Sequence, residues 1–270
     1  MVKGDQVFQQ MISVSQHKLT RNIVRTILLS IFAGIFIAIG SAAFLTVGAS
    51  VSKKSLAYIL GGCVFPIGLI PVVFFGADLF TSSTINVYVP IVRKKYLSNF
   101  LINILIVFLF NFIGAILIAL ITWGTGAFTK DSENYKYLVQ IAATKLSDKY
   151  FAIFLKAIMC NILVSGAVVL SYFSGSVIGK AFMIWFPIMI FVLLGYEHSV
   201  ANMFYYSLIF YTKIGSGLVG RMASNMALVT LGNIVGGMII GAFVLLLKTP
   251  RSKAVYQAQE TVYYEEPGEF

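Results

Sequence analysis

Few side chains in this sequence can do chemistry, and they sit where carrying charge is costly. Asp78, Lys156, Glu197 and His198 interrupt long apolar runs. An ionisable group at bilayer depth is expensive unless it is paired or wet, so each is a functional candidate. His198 is the sharpest, because imidazole titrates near neutral pH and can give a proton to a weak-acid anion. Asp78 and Glu197 occupy matched settings, Gly76-Ala77-Asp78 and Gly195-Tyr196-Glu197, close to half the chain apart. A carboxylate there is suited to accept hydrogen bonds from amides freed by a broken helix, whereas bare carboxylates lining a pathway would repel an anion. Gly76, Asp78, Gly195 and Glu197 therefore read as bracing for two helix breaks. Thr81, Ser82, Ser83 and Thr84 supply hydroxyls that cap a half-helix and also suit a permeant ion. Half-helix N-termini after Thr81 and after His198 would add partial positive charge. Asn161 either bonds His198 and fixes its tautomer or joins two helices, and both readings stand at this point. Lys145 and Lys149 precede the span that carries Lys156, which lies near enough to its end to snorkel; together they would concentrate anions at a vestibule.

The elements that must position these residues follow from hydropathy. The 270-residue chain is 59% hydrophobic and 11% charged, with a mean hydropathy of +0.89, whereas soluble domains are about 25% charged. This is the composition of an all-α, multi-pass membrane protein. The net charge of +10 flanks apolar segments instead of forming a stripe, which excludes nucleic acid as the partner. Cys63 and Cys160 fall in apolar runs and read as buried thiols. No phosphate-cradling GxxxxGK[ST], HExxH, Cys/His zinc spacing or GxSxG occurs, so no enzyme, cofactor or metal site is expected.

Residues 1–26 form a polar N-terminal segment without the features of a cleavable signal peptide, 27–248 the membrane domain and 249–270 a polar tail. His17, Lys18, Arg21 and Arg25 are spaced to share one helical face at the membrane surface. Six spans are expected. The first runs from Ile27 to Gly48 and the second from Leu56 to Phe75, bent by Pro66 and Pro71 and followed by a half-helix, Ile85 to Val92. The third is Leu97 to Trp123, in which Asn99, Asn103 and Asn111 read as inter-helix glue. A polar loop, Gly124 to Lys149, leads to the fourth, Tyr150 to Tyr172. The fifth, Ala181 to Leu194, contains Pro187, breaks and resumes through Val200 to Tyr211. The last is Met222 to Leu247, where Gly232-x-x-x-Gly236 permits close helix contact. Three spans per half makes the halves inverted. Arg21, Arg25, Arg93, Lys94, Lys95 and Lys180 hug the spans on one side, which puts both termini in the cytoplasm. Backbone broken at membrane depth must be buried in protein or line a cavity, so the breaks mark a pathway.

GADLFTSST in the second span and GYEHSVANMF in the fifth resemble the two signature segments of the formate/nitrite transporter family. The resemblance implies an aquaporin-like, three-plus-three inverted fold assembled as a homopentamer in the inner membrane, one pore per protomer. It implies a channel or proton-linked transporter for a small monovalent anion or its conjugate acid, formate first, with nitrite, hydrosulfide and lactate as alternatives. In that frame His198 is the central pore histidine, Asn161 the span-four asparagine beside it and Lys145 the lysine ahead of that span. Leu79, Phe80 and Thr81 form the loop of the broken second helix. Phe65 and Phe191 match the outer constriction, Leu79 and Phe80 the inner one. The segment departs from the family after ANMF: Tyr205, Tyr206 and Ser207 stand where an apolar residue, Ile and Pro often follow. A neutral-solute channel and a scaffold without a pore are the competing readings from other classes.

Overall fold

The computed structural model describes residues 3–212 and 218–248. Lys213, the tail 249–270 and its basic residues Arg251 and Lys253 lie outside the described residues. The described chain is helical throughout. Helix α1 spans Gly4–Thr20, α2 Ile23–Ala49, α3 Lys54–Val64, α4 Leu69–Phe74, α5 Phe80–Ser83, α6 Tyr88–Arg93, α7 Leu97–Gly124, α8 Glu133–Ser147, α9 Tyr150–Ser171, α10 Val177–Leu193, α11 Ser199–Tyr211 and α12 Val219–Leu246. Short 3-10 turns, Phe65–Gly68 and Thr84–Val87, join α3 to α4 and α5 to α6.

Among the described residues, five stretches are long and apolar enough to cross a membrane: α2, the α3–α4 unit, α7, α9 and α12. The sixth apolar helix, α10, has 17 residues. The second stretch tightens into a 3-10 turn at Phe65–Gly68, where Pro66 has no amide to donate. Leu101, Ile102, Leu105 and Leu109 on α7 face outward, the surface a helix presents to lipid or to apolar neighbours.

Glycine sets how closely the long helices cross. A Cβ at Gly34 would fall on the Asn111 carbonyl, and one at Gly114 on the Ile31 carbonyl, so α2 and α7 touch backbone to backbone. The same happens between α9 and α12, where Cβ atoms at Gly232 and Gly236 would meet the Phe154 and Ile158 carbonyls. The spacing Gly232-x-x-x-Gly236 thus serves the close contact expected of it. Gly236→Ala should force α12 off α9 and lower stability by about 1–3 kcal/mol, the usual cost of overpacking, read as a fall in melting temperature in detergent.

Several expectations need correcting. The second half-helix starts at Phe80, not Ile85. Ser82 and Thr84 sit within it because their hydroxyls are satisfied locally, donating back to the Leu79 and Thr81 carbonyls at 3.0 and 2.6 Å. Residues 124–149 are not one polar loop but carry α8, which buries Tyr137, Leu138, Ile141 and Ala142. His17, Lys18, Arg21 and Arg25 do not share one face: α1 ends at Thr20, and Arg25 belongs to α2. Helix α1 instead packs Val7, Phe8, Met11 and Ile12 into a cluster with Ile85, Tyr88 and Val89. The glue reading of Asn99 stands: from α7 it donates to the Leu19 carbonyl of α1 at 3.3 Å.

Candidate functional site

Both breaks are made by the same local device. Helix α4 ends with Gly76 at φ +65°, and α10 with Gly195 at φ +63°, a conformation that a residue with a Cβ adopts only under strain. The amides of Ala77 and Gly76 return to the Val72 and Val73 carbonyls, at 2.9 and 3.3 Å. Those of Tyr196 and Gly195 return to Phe191 and Val192, both at 3.0 Å. This is the paired closure that ends a helix on a left-handed glycine. The chain then runs extended for a few residues before α5 and α11 begin.

The groups freed at the breaks are met by two buried asparagines, not by Asp78 and Glu197. Asn111 on α7 accepts from the Phe80 amide at 2.8 Å and donates to the Asp78 and Ser30 carbonyls at 2.8 and 2.7 Å. Asn233 on α12 accepts from the Ser199 amide at 2.8 Å and donates to the Glu197 and Ala157 carbonyls at 2.9 and 2.8 Å. The two sets correspond group for group. The sequence alone gives Asn111 only the role of inter-helix glue and does not single out Asn233. The available signal was a repeated Asn-x-x-Gly, Asn111 to Gly114 and Asn233 to Gly236, at the two close crossings.

The acids pair with cations instead. Asp78, 1% exposed, meets Arg21 and lies 3.1 Å from the Lys18 ammonium. Glu197 accepts from Lys145 at 3.0 Å and from the Asn202 amide at 2.7 Å. Among the three lysines near α9, Lys145 is the one joined to the second break. Lys156 pairs with Asp148 at 2.5 Å, and Lys149 stands at the N-cap of α9.

His198 caps α11. Its Nδ1 accepts the Ala201 amide at 3.2 Å, which leaves Nε2 as the protonated nitrogen of the neutral ring. Nε2–H then donates to Thr81 Oγ1 at 3.1 Å, joining the two half-helices across the centre of the bundle. Helix α5 has no such side-chain cap, since Leu79 stands at its N-cap. Asn161 does not reach His198. Its amide donates to the Thr81 carbonyl at 3.1 Å, to Thr84 Oγ1 at 3.0 Å and to the Asn233 carbonyl at 2.5 Å. The tautomer is set by Ala201, and Asn161 holds the Thr81 backbone instead.

His198 lines a cavity of about 530 Å³ together with Phe65, Phe191, Lys145, Glu197 and Tyr205. Phe65 and Phe191 meet edge to face at 5.4 Å, and the Phe191 ring stacks on His198 at 5.8 Å. Leu79 and Phe80 are buried away from this cavity, Phe80 against Phe108 at 4.9 Å. The arrangement offers an approaching anion a fixed ammonium, then aromatic edges, then an imidazole N–H.

An all-helical bundle with paired helix breaks around a buried polar centre defines a membrane transport protein. Residues 5–247 match the family profile described as Formate/nitrite transporter, and the chain belongs to that family. It is 32% identical to "Uncharacterized transporter YrhG" of Bacillus subtilis (strain 168), over 88% of this chain and 90% of that one. It is 32% identical to "Formate channel BtFdhC" of Bacillus thuringiensis, over 87% and 91%. To "Formate channel FocA" of Haemophilus influenzae it is 36% identical, over 70% and 73%. A solved "FNT family ion channel" shares the fold at a TM-score of 0.80 and 24% identity, covering 92% of this chain and 98% of that one. A solved "Pentameric formate channel with formate bound" matches at a TM-score of 0.72 and 29% identity, over 83% and 97%.

Proposed function

We propose that this protein conducts a small weak-acid anion, formate first, across the inner membrane, with both termini in the cytoplasm and five copies assembled around separate pores. The observation that carries the reading is the His198 Nε2 to Thr81 Oγ1 contact at the meeting of the two breaks, beside a cavity that holds Lys145. Relatives named formate channels support formate over nitrite, hydrosulfide or lactate.

Lys145 draws the anion into the cavity. Phe65 and Phe191 form the outer constriction and strip its water; Leu79 and Phe80 form the inner one. Loss of water raises the proton affinity of a carboxylate. A formate oxygen takes the place of Thr81 Oγ1 as acceptor of the His198 Nε2–H; the neutral ring keeps that proton and holds the anion by a hydrogen bond, while a proton taken up from solvent lets the species cross as a neutral acid. Thr81, its carbonyl held by Asn161, receives the hydrogen bond again once the substrate has passed. Gly76 and Gly195 keep the breaks open, while Asp78 and Glu197 brace them through their cation partners.

The test is pH-dependent formate flux into proteoliposomes. His198→Phe should lower it about a hundredfold at neutral pH, the loss expected when one hydrogen-bond donor positioned for an anionic oxygen is removed. Unchanged flux would remove the role given to His198. Flux independent of pH and of anion would favour a neutral-solute channel, and no flux in the parent a scaffold.

A further inference from the structure

Tyr205 and Tyr206 are the point at which this chain departs from the GYEHSVANMF signature it otherwise follows, and both reach the same residue. The Lys145 ammonium lies over the Tyr205 ring, 5.5 Å from its centroid. The Tyr206 hydroxyl donates to Asn225 Oδ1 at 2.6 Å, and the Asn225 amide donates to the Lys145 carbonyl at 3.1 Å. That carbonyl is in the last turn of α8, where helices leave acceptors without an intrahelical partner. Asn202 closes the circuit, its amide shared between Asn225 Oδ1 at 3.0 Å and Glu197 Oε2 at 2.7 Å, the same oxygen that receives the Lys145 ammonium. Tyr205, Tyr206, Asn202, Asn225 and Glu197 are all buried, where hydrogen-bonded networks of this kind fix geometry.

We propose that Tyr205 and Tyr206 are positioning residues that hold Lys145 at both ends, the ring of one beneath its ammonium and the hydroxyl of the other, through Asn225, fixing its backbone carbonyl, so that the ammonium presented to the cavity stays in one place. Without the Tyr206–Asn225 arm, the end of α8 would be free to shift relative to α11 and α12. Without the Tyr205 ring, only Glu197 would hold the ammonium. The functional consequence rests on the reading of Lys145 as the cation that draws the anion in.

The experiment measures the rate at which each lysine of the purified full-length protein is acylated by a water-soluble amine reagent, peptide by peptide in a mass spectrometer. Exposed Lys136 and shielded Lys18 serve as references. Tyr205→Leu should accelerate Lys145 labelling about two- to fivefold, the worth of a cation–π contact. Tyr206→Phe and Asn225→Ala should accelerate it about fivefold, the worth of one buried hydrogen bond. Tyr205→Phe keeps the ring and should label as slowly as the parent. Unchanged Lys145 labelling in the first three variants overturns the proposal. So does a parallel rise at Lys18, which would mean general loosening, or a Tyr205→Phe rate equal to that of Tyr205→Leu. In proteoliposomes the same three variants should raise the half-saturating formate concentration with maximal flux kept. Faster labelling with unchanged half-saturation would leave the tyrosine arrangement standing and remove Lys145 from anion entry.

Discussion

Asn233→Leu should destabilise the protein more than any other single change at the two breaks, with Asn111→Leu matching it. Leucine keeps the branched four-heavy-atom skeleton of asparagine, with bulkier methyls in place of the amide, so the loss is chiefly one of hydrogen bonds. In Asn233→Leu the Ser199 amide and the Glu197 carbonyl lose their partner together, and the Ala157 carbonyl, inside α9, loses its second one. Ser199 is fully buried, so water cannot replace the bond. Each orphaned buried group costs about 1–3 kcal/mol, and relaxation at a break bounded by Gly195 recovers part of it, leaving a net loss of about 3–6 kcal/mol. That is comparable to the whole stability of many domains, about 5–15 kcal/mol. The measurement is the fraction of protein that stays monodisperse after heating in detergent, for both leucine variants beside the parent. A shift of only a degree or two would sink the argument. A large loss in one variant but not the other would show that the two breaks, alike in geometry, differ in what they demand.

The breaks were legible in the sequence because a membrane leaves so little freedom. A polar cluster such as GADLFTSST inside an apolar run has no cheap explanation, and a second Gly-x-acid half a chain away turns an anomaly into a pattern. Gly76 and Gly195, at φ +65° and +63°, stand out for the same reason: a helix that must stop in the bilayer needs a left-handed residue and internal partners for its last carbonyls. His198 was legible from rarity and position.

The partners of these residues were much less legible. Nothing in the local sequence says that Asp78 will meet Arg21, because the two are joined only when α1 folds beneath the second half-helix. The reading therefore gave the acids to the nearest free amides, and the amides turned out to belong to Asn111 and Asn233. Asn161 was drawn toward His198 by plausibility, although Ala201, three residues along on the same helix, was the closer claimant for Nδ1. Helix α8 was missed for a different reason. Tyr137, Leu138, Ile141 and Ala142 carry a helical stripe, but one hidden among charges in a segment already classed as a loop. Helical periodicity on that scale is readable, and it puts Lys145 at the end of a helix.

Asp78→Ala should cost about 3–5 kcal/mol, the price of leaving a buried charge without its counter-ion, and its rescue separates the two cations that share the site. Arg21 and Lys18 both face one carboxylate, so the cluster carries a surplus positive charge. Lys18 is the cation that yields: burial, and then the neighbouring Arg21 guanidinium, push its ammonium from 10.5 down to about 8. Arg21 thus carries the ion pair, whereas above pH 8 Lys18 is a neutral amine that still donates to the Ala77 carbonyl, 3.2 Å away. Arg21→Met should therefore be nearly as damaging as Asp78→Ala, and Lys18→Met mild. The Asp78→Ala/Arg21→Met double variant should recover most of the loss, because neither charge is then left alone. The sign of the pH effect follows. Between pH 8 and 10.5 the unfolded chain holds the Lys18 proton and the folded chain does not, so this group adds stability as pH rises through that window. Below pH 8 the cost of keeping the charge buried is fully present. Other lysines and tyrosines titrate in the same range, so the quantity to read is the difference in melting temperature between the parent and Lys18→Met across it. The parent should gain on the variant as pH rises; a constant difference would show that the Lys18 charge is as comfortable folded as free.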